Sequence, residues 1–238
     1  MNYYPCSAIL FHMVRKINVM GLELDNYSIR ESLNIIDNFL KDAALSYVQM
    51  VSMELLMMSE SDENVKTALE QSDLTIIGDK AILEAADVSR MQRINETENS
   101  NFFVELLKRL HRGNHSVYIL GDTQSDIDKL REFLSENFEH LHVVGDAIVD
   151  DDSSAYEKIV NDINIVLPDV VLSIISSPEQ EAFLCAHGKH ICAKLWYGAG
   201  SQKPVSRKSR GIRRLLRSLI GTRIFHHKVN QFNNENQE

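Results

Sequence analysis

Cysteine and proline are scarce in this chain of 238 residues, which holds three of the first and four of the second. Cys6, Cys185 and Cys192 cannot build a disulfide framework, and such sparing use fits a reducing, cytoplasmic setting. Long apolar runs are missing too: none approaches the ~20 residues that span a bilayer. The stretch from Ala8 to Val14 is too short for that, follows no basic residues and leads to no signal-peptide cleavage site. Residues 1–15 therefore read as an N-terminal extension. With 44% hydrophobic and 25% charged residues the composition is ordinary for a globular protein, so disorder is not the default. There is no internal repeat, and only the Asn/Gln/Glu-rich end is of low complexity. The sharpest absence is of negative charge. No Asp or Glu occurs from Ala182 to Asn234, where 11 of the 25 Lys and Arg residues lie. Before Ala182 there are 14 basic and 32 acidic residues, a balance of −18. An acidic body thus carries a basic tail, and the asymmetry points to an anionic partner for that tail.

What is present is an alternation of short apolar runs and amphipathic segments. Lys16 to Met20 predicts a strand, and Asp25 to Ser28 supply turn and cap residues. Ser28 and Glu31 stand in capping-box spacing before a helix to about Lys41, with Leu33, Ile36, Phe39 and Leu40 on one face. Ser46–Val51 and Leu74–Asp79 predict strands, with two short helices between them and another helix from about Ala81. Asn101–Arg112 is a helix, Ser116–Leu120 a strand, Ser125–Asn137 a helix and Leu141–Val144 a strand. Ser154 and Glu157 form a second capping-box pair, for a helix to about Asn164. Val170–Ile175 is a buried strand, followed by a polar turn, a helix opening with Glu179, Gln180 and Glu181, and a strand from Ile191 to Trp196. Strands alternating with helices of about 10 to 15 residues imply βαβ units. The fold class is α/β: a Rossmann-like, mainly parallel sheet flanked by helices over residues 16–202, with a short basic C-terminal helical appendage over 203–238.

In such sheets ligands sit beyond the carboxyl ends of the strands, where helix N-termini offer free N–H groups. Several polar residues fall there. Glu179, Gln180 and Glu181 are placed to touch a ligand, or else simply suit a helix start that Ser176 or Ser177 caps. Asp79 ends a strand where a general base is wanted, or is a turn aspartate. Gly121 and Asp122 close another strand, and the glycine would let backbone approach a phosphate or ribose, although no complete G-x-G-x-x-G is present. Asp150-Asp151-Asp152 offers carboxylates for a divalent metal, but reads more simply as a solvated loop. Cys185, His187, His190 and Cys192 are metal-ligand types at a spacing tighter than zinc motifs use, so no metal is expected.

In the tail, Ile212, Leu215, Leu216, Leu219 and Ile220 recur at helical spacing, while Arg213, Arg214 and Arg217 occupy other faces. An apolar stripe beside an arginine-rich side suits an anionic membrane surface or a phosphate-bearing lipid. Arg207, Arg210, Arg213, Arg214 and Arg217 are the candidates for contact with a membrane surface or a phosphate-bearing lipid. The plain alternative is a C-terminal helix docked on the body. Nucleic acid is not expected, because no aromatic residues interleave with the charges and the body is acidic.

Taken in order, these stretches resemble the WecB/TagA/CpsF glycosyltransferases over about Ile17 to Gly200. Ile17 to Gly21 followed by Leu24-Asp25-Asn26 is similar to the family's opening strand and turn. Tyr47 to Glu54 falls on a strand ending in Thr-Pro-Asn-Pro-Glu, with Met50 and Ser52 at the Thr and Asn positions and the Glu kept as Glu54. Asp73 to Asp79 matches the Ala-Asp-Leu-Val-Leu-Pro-Asp-Gly region with the last pair reversed as Gly78-Asp79. Val117 to Asp122 matches a strand and its glycine turn, and Pro178-Glu179-Gln180-Glu181 matches Pro-Lys-Gln-Glu, the most specific of the set. The resemblance implies inverting transfer of an N-acetylhexosamine-type sugar, such as N-acetylmannosamine, from a UDP donor to a polyprenyl-diphosphate-linked acceptor, in synthesis of cell-surface polysaccharide or teichoic acid. It implies Asp79 as base, substrate binding by Gln180 and Glu181 with Ser52 and Glu54, no cofactor or bound metal, and a place on the inner face of the plasma membrane. It is compatible with a homo-oligomer. The alternative is a family member that binds a nucleotide sugar or a partner transferase as a scaffold.

Overall fold

The computed structural model describes residues 15–88, 91–99, 101–149, 155–199 and 212–235, the side chains of residues 99, 212–220 and 223 excepted. Its centre is a six-stranded sheet built from β3 (Ser46–Val51), β4 (Leu74–Ile77), β5 (Ser116–Gly121), β6 (His142–Ile148), β7 (Val170–Ile174) and β8 (Leu195–Gly198). The spatial order is β4-β3-β8-β7-β5-β6, and every neighbouring pair is parallel. The last strand among the described residues therefore lies inside the sheet, between β3 and β7. Near-continuous apolar runs such as Val170-Val171-Leu172 suit a sheet covered on both faces.

Side chains alternate between those faces. Val48, Met50, Val117, Ile119, Leu172 and Tyr197 bury against α1 (Ile29–Phe39), α6 (Phe102–Arg112) and α7 (Gln124–Asn137). Tyr47, Tyr118, Leu120, Val171 and Trp196 bury on the other side against α3 (Glu63–Glu70), α8 (Tyr156–Val166) and α9 (Glu179–His187). The Ser28–Glu31 capping box forms as its spacing requires, with Glu31 accepting from the Ser28 backbone N–H at 2.9 Å. The expected α/β architecture is the one observed.

Several elements differ from the sequence reading. Leu22–Asp25 is a strand, β2, folded back antiparallel on β1 (Lys16–Val19) rather than joining the large sheet. The two-residue turn, Met20 and Gly21, has φ of 54° and 78°, the left-handed pair whose twist matches a tight hairpin. Asp25 then covers the edge strand β4: its Oδ2 accepts the Thr75 N–H at 2.9 Å, and Thr75 Oγ1 accepts the Asp25 N–H at 2.6 Å. An otherwise open sheet edge is thereby closed. A hydrophilic helix, α5 (Met91–Asn99), is pinned by Arg93, buried with Nε on Asn26 Oδ1 at 3.1 Å and Nη1 on Glu96 Oε2 at 2.9 Å. The final strand begins at Leu195, not Ile191, because the Cys192 N–H goes to Asn164 Oδ1 at 2.7 Å and the Lys194 N–H to the Asp169 carbonyl at 3.0 Å.

The C-terminal helix is longer than its apolar stripe suggested: α10 runs from Ile212 to Glu235. Its second half docks on the body, with Phe225 and Val229 buried in a cluster that includes Leu55 and Leu56 of α2 (Met53–Met58) and Ile82 and Leu83 of α4 (Lys80–Ala85). The Phe232 ring lies over Gly21, 3.1 Å from where a Cβ there would stand. Lys228 pairs with Glu60. Arg207 and Arg210 lie outside the described residues, as do Asp150 to Asp152, Ser154 and the side chains of Arg213, Arg214 and Arg217. No helix among the described residues is long and apolar enough to cross a membrane.

Candidate active site

A rung of residues crosses the middle of the sheet. Gln49 of β3 is paired in register with Gly198 of β8, which is paired with Ser173 of β7. Gln49 shares its face with Tyr47 and Val51, so period-2 alternation places an amide where an apolar side chain is the norm. It is fully buried, and so are Gln180 and Glu181 in the first turn of α9 above it. Buried polar groups need partners, and these find one another. Gln180 Nε2 donates to Gln49 Oε1 and to Glu181 Oε1, each at 3.0 Å. Gln49 Nε2 donates to the Met50 carbonyl and to Glu181 Oε1, each at 3.2 Å. Ser177 Oγ donates to Glu181 Oε1 at 3.0 Å, and the Tyr47 hydroxyl donates to Gln49 Oε1. Gly198 makes this possible: a Cβ there would stand 2.2 Å from Gln49 Oε1 and 2.7 Å from Gln180 Nε2.

Burial pushes the Glu181 carboxyl above the usual carboxylate range, against the hydrogen bonds from Ser177 and Gln180 that pull it down. Burial, together with the Glu181 charge, raises the Tyr47 hydroxyl well above its ordinary value. Three polar atoms of the cluster, Ser173 Oγ, Gln180 Oε1 and Glu181 Oε2, are buried without a protein partner.

Beside the cluster, at the carboxyl edge of the sheet, is a cavity of about 160 Å³ lined by Met50, Ser52, Glu54, Leu55, Met58, Ser176 and Ser177. Ser52 is the N-cap of α2, its Oγ accepting the Leu55 N–H at 3.2 Å. Asp79, at the start of α4, does not cap its own helix; its Oδ2 accepts the Met53 N–H at 2.8 Å, so it too holds the N-terminus of α2. Asp122 accepts the Ser176 N–H at 2.8 Å and the Ser176 hydroxyl at 2.7 Å, joining the loop after β5 to the loop after β7. Neither Ser176 nor Ser177 caps α9, whose N-cap is Pro178 without a side-chain bond. The two hydroxyls are turned to Asp122 and Glu181 instead. Gly121 faces packing: a Cβ there would stand 2.9 Å from Ile127 and 3.3 Å from Ile174.

The structure thus gathers Ser52, Glu54, Asp79, Asp122, Gln180 and Glu181 at one edge of the sheet. Sequence reasoning missed Tyr47, Gln49, Ser173 and Gly198. The available signal was Gln49 itself, a long amide inside the apolar run Tyr-Val-Gln-Met-Val. A groove of about 740 Å³ lies at the opposite edge. Its carboxylates are tied into the scaffold: Asp73 accepts the Tyr47 N–H at 2.7 Å, and Asp169 accepts Lys194 Nζ at 2.6 Å. Nearby, Cys185 Sγ contacts the Asn64 carbonyl at 3.5 Å, and His187 packs edge-on to the Tyr156 ring.

The N-acetylglucosaminyldiphosphoundecaprenol N-acetyl-beta-D-mannosaminyltransferases of Staphylococcus aureus strains NCTC 8325 / PS 47 and COL are each 17% identical to this chain over 195 residues, which is 80% of this chain and 75% of theirs. That of strain MRSA252 matches to the same extent. The profile of the Glycosyl transferase WecG/TagA/CpsF family matches residues 17–204, from the first strand through the carboxyl-edge cluster, and the chain belongs to that family.

Proposed function

We propose that this chain is an inverting glycosyltransferase that moves an N-acetylhexosamine-type sugar, such as N-acetylmannosamine, from UDP to a polyprenyl-diphosphate-linked N-acetylglucosamine acceptor. The observation that carries this reading is the convergence of Asp79, Ser52, Glu54, Ser177, Gln180 and Glu181 at the carboxyl edge of the sheet, inside the span matched by the family. Asp79 is the base: it takes the proton of the acceptor hydroxyl as that oxygen attacks the anomeric carbon, and the bond to UDP breaks on the opposite face. Its bond to the Met53 N–H supports this role by holding the carboxylate in place at the strand end. Gln180 and Glu181 bind the sugar nucleotide.

The protein works from the inner face of the plasma membrane as a peripheral enzyme. The concentration of arginines at and before the start of α10, with no acidic residue among them, supports a role for them in holding the acceptor diphosphate. Planar guanidinium groups that stay charged suit that task.

Asp79→Asn should retain a thermal shift with UDP-N-acetylmannosamine while turnover on a lipid-linked acceptor falls about 10² to 10⁴-fold. Turnover at the wild-type rate would remove Asp79 from the role. A wild-type protein that binds the nucleotide sugar but never transfers it would favour a scaffold instead.

A further inference from the structure

We propose that Gln49 is a positioning residue that fixes the direction of the Gln180 amide, so that Gln180 presents only a hydrogen-bond acceptor to the bound substrate and selects a ligand N–H or O–H in preference to a phosphate oxygen. This rests on the nucleotide-sugar reading of the site.

The argument starts from a group whose polarity cannot change. The Met50 carbonyl is an acceptor, so the Gln49 end that faces it at 3.2 Å is the NH₂. The same NH₂ reaches Glu181 Oε1 at 3.2 Å, which is consistent with that orientation. Gln49 Oε1 is then turned toward Tyr47 and Gln180, where it accepts the tyrosine hydroxyl. Two acceptors, Gln49 Oε1 and Glu181 Oε1, now face Gln180 at 3.0 Å, so the end of Gln180 between them is also its NH₂. Reversing it would set three oxygens against one another in a dry site, an arrangement that burial strongly disfavours. Both donors of Gln180 are used inside the protein, and its remaining polar atom, Oε1, is buried with no protein partner. An orphaned acceptor of this kind is complemented by a donor, and phosphate oxygens offer none at neutral pH. A nucleotide sugar offers several: the uracil N3–H, ribose and hexose hydroxyls, and the acetamido N–H. A site built to receive a donor rejects analogues that lack it, because the buried acceptor is then left unpaired.

The test measures affinity by calorimetry for UDP-N-acetylmannosamine and for analogues in which each of those donors is methylated in turn. The wild type should lose at least about tenfold for one analogue, equivalent to ~1.4 kcal/mol. Gln49→Met, which keeps length and removes both polar ends, should bring that ratio close to one. Tyr47→Phe removes a buried hydrogen bond but leaves the Met50 anchor, so it should lower stability and keep the ratio. Should Gln49→Met fail to fold, Gly198→Ala serves in its place, since its Cβ displaces the Gln49–Gln180 bond. Equal tolerance of every analogue by the wild type, or an unchanged ratio in the Gln49 and Gly198 variants, overturns the proposal and leaves the transferase reading standing. Absence of any binding of the parent nucleotide sugar overturns both.

Discussion

Glu181 sits in a fully buried position, where one carboxyl oxygen receives three donors and the other receives none. Its raised folded pKa has a definite sign for stability. The unfolded chain releases this proton near pH ~4.3, while the folded chain keeps it to higher pH. Between those two values the native state binds more protons, so stability falls as pH rises. Glu181→Gln removes that slope and keeps the shape. Urea unfolding between pH 4 and 8 should show the variant gaining on the wild type as pH rises, then levelling once the wild-type carboxyl is ionised in both states. A difference independent of pH would show that burial does not control this group. At this scale the sequence was partly legible. Gln180 and Glu181 were recognisable from their motif and from their place at a helix start, and the structure sets them at the same carboxyl edge of the sheet as Ser52, Glu54 and Asp79. Their partners were not, because Gln49 is separated from Gln180 by most of the chain and only the parallel register of β3 with β8 brings it beneath α9.

Among the elements, α10 joins the appendage to the body. Phe225 is fully buried and Val229 nearly so, among side chains from α2, α4 and the β1–β2 hairpin. Truncating a buried phenylalanine typically costs about 3 to 5 kcal/mol, by lost transfer energy and the cavity left behind. Phe225→Ala should lower the unfolding free energy by that order in urea titrations at constant slope. An unchanged midpoint would mean that α10 is not part of the cooperative fold. The sequence signalled a helix here through the Ile212-to-Ile220 stripe, but its extent was hidden. Beyond Ile220 the apolar positions thin to Ile224, Phe225, Val229 and Phe232 among Asn, Gln and His, so the buried face is narrow and the periodic signal weak. The hairpin was missed for a related reason: four-residue strands carry too little alternation to be separated from a turn, and only the Met-Gly pair hinted at one. The large-sheet strands and the capped helices were readable because each combines a run or stripe with a local stop signal.

For the molecule as a whole, the two edges of the sheet divide the labour. The side chains proposed for function gather at the carboxyl edge, and a scaffold of fixed charges holds the amino edge. Asp169 is the clearest example, receiving the Ser116 N–H at 3.1 Å, His115 Nδ1 at 3.2 Å and Lys194 Nζ at 2.6 Å, and so tying β5, β7 and β8 together. Burial pushes its carboxyl up, but the bonds from Lys194, Ser116 and His115 outweigh it and leave the group below its ordinary range. A depressed carboxyl contributes stability above its unfolded value of about 3.9, and that contribution is lost as pH falls through the folded value. Asp169→Asn should therefore cost about 1 to 2 kcal/mol at pH 7, with the deficit shrinking below about pH 4. A deficit that stays level down to pH 3 would mean the charge is immaterial. The strand order has a consequence for how the protein comes into being. Because β8 lies between β3 and β7, the first-made half of the sheet and the later half cannot meet until the final strand has left the ribosome. Parallel pairings this distant along the chain are slow to form. The rung that carries Gln49, Gly198 and Ser173 is completed by that same strand, so a nascent chain halted before β8 holds every residue proposed for sugar-nucleotide binding but lacks the strand that joins the two halves of their site.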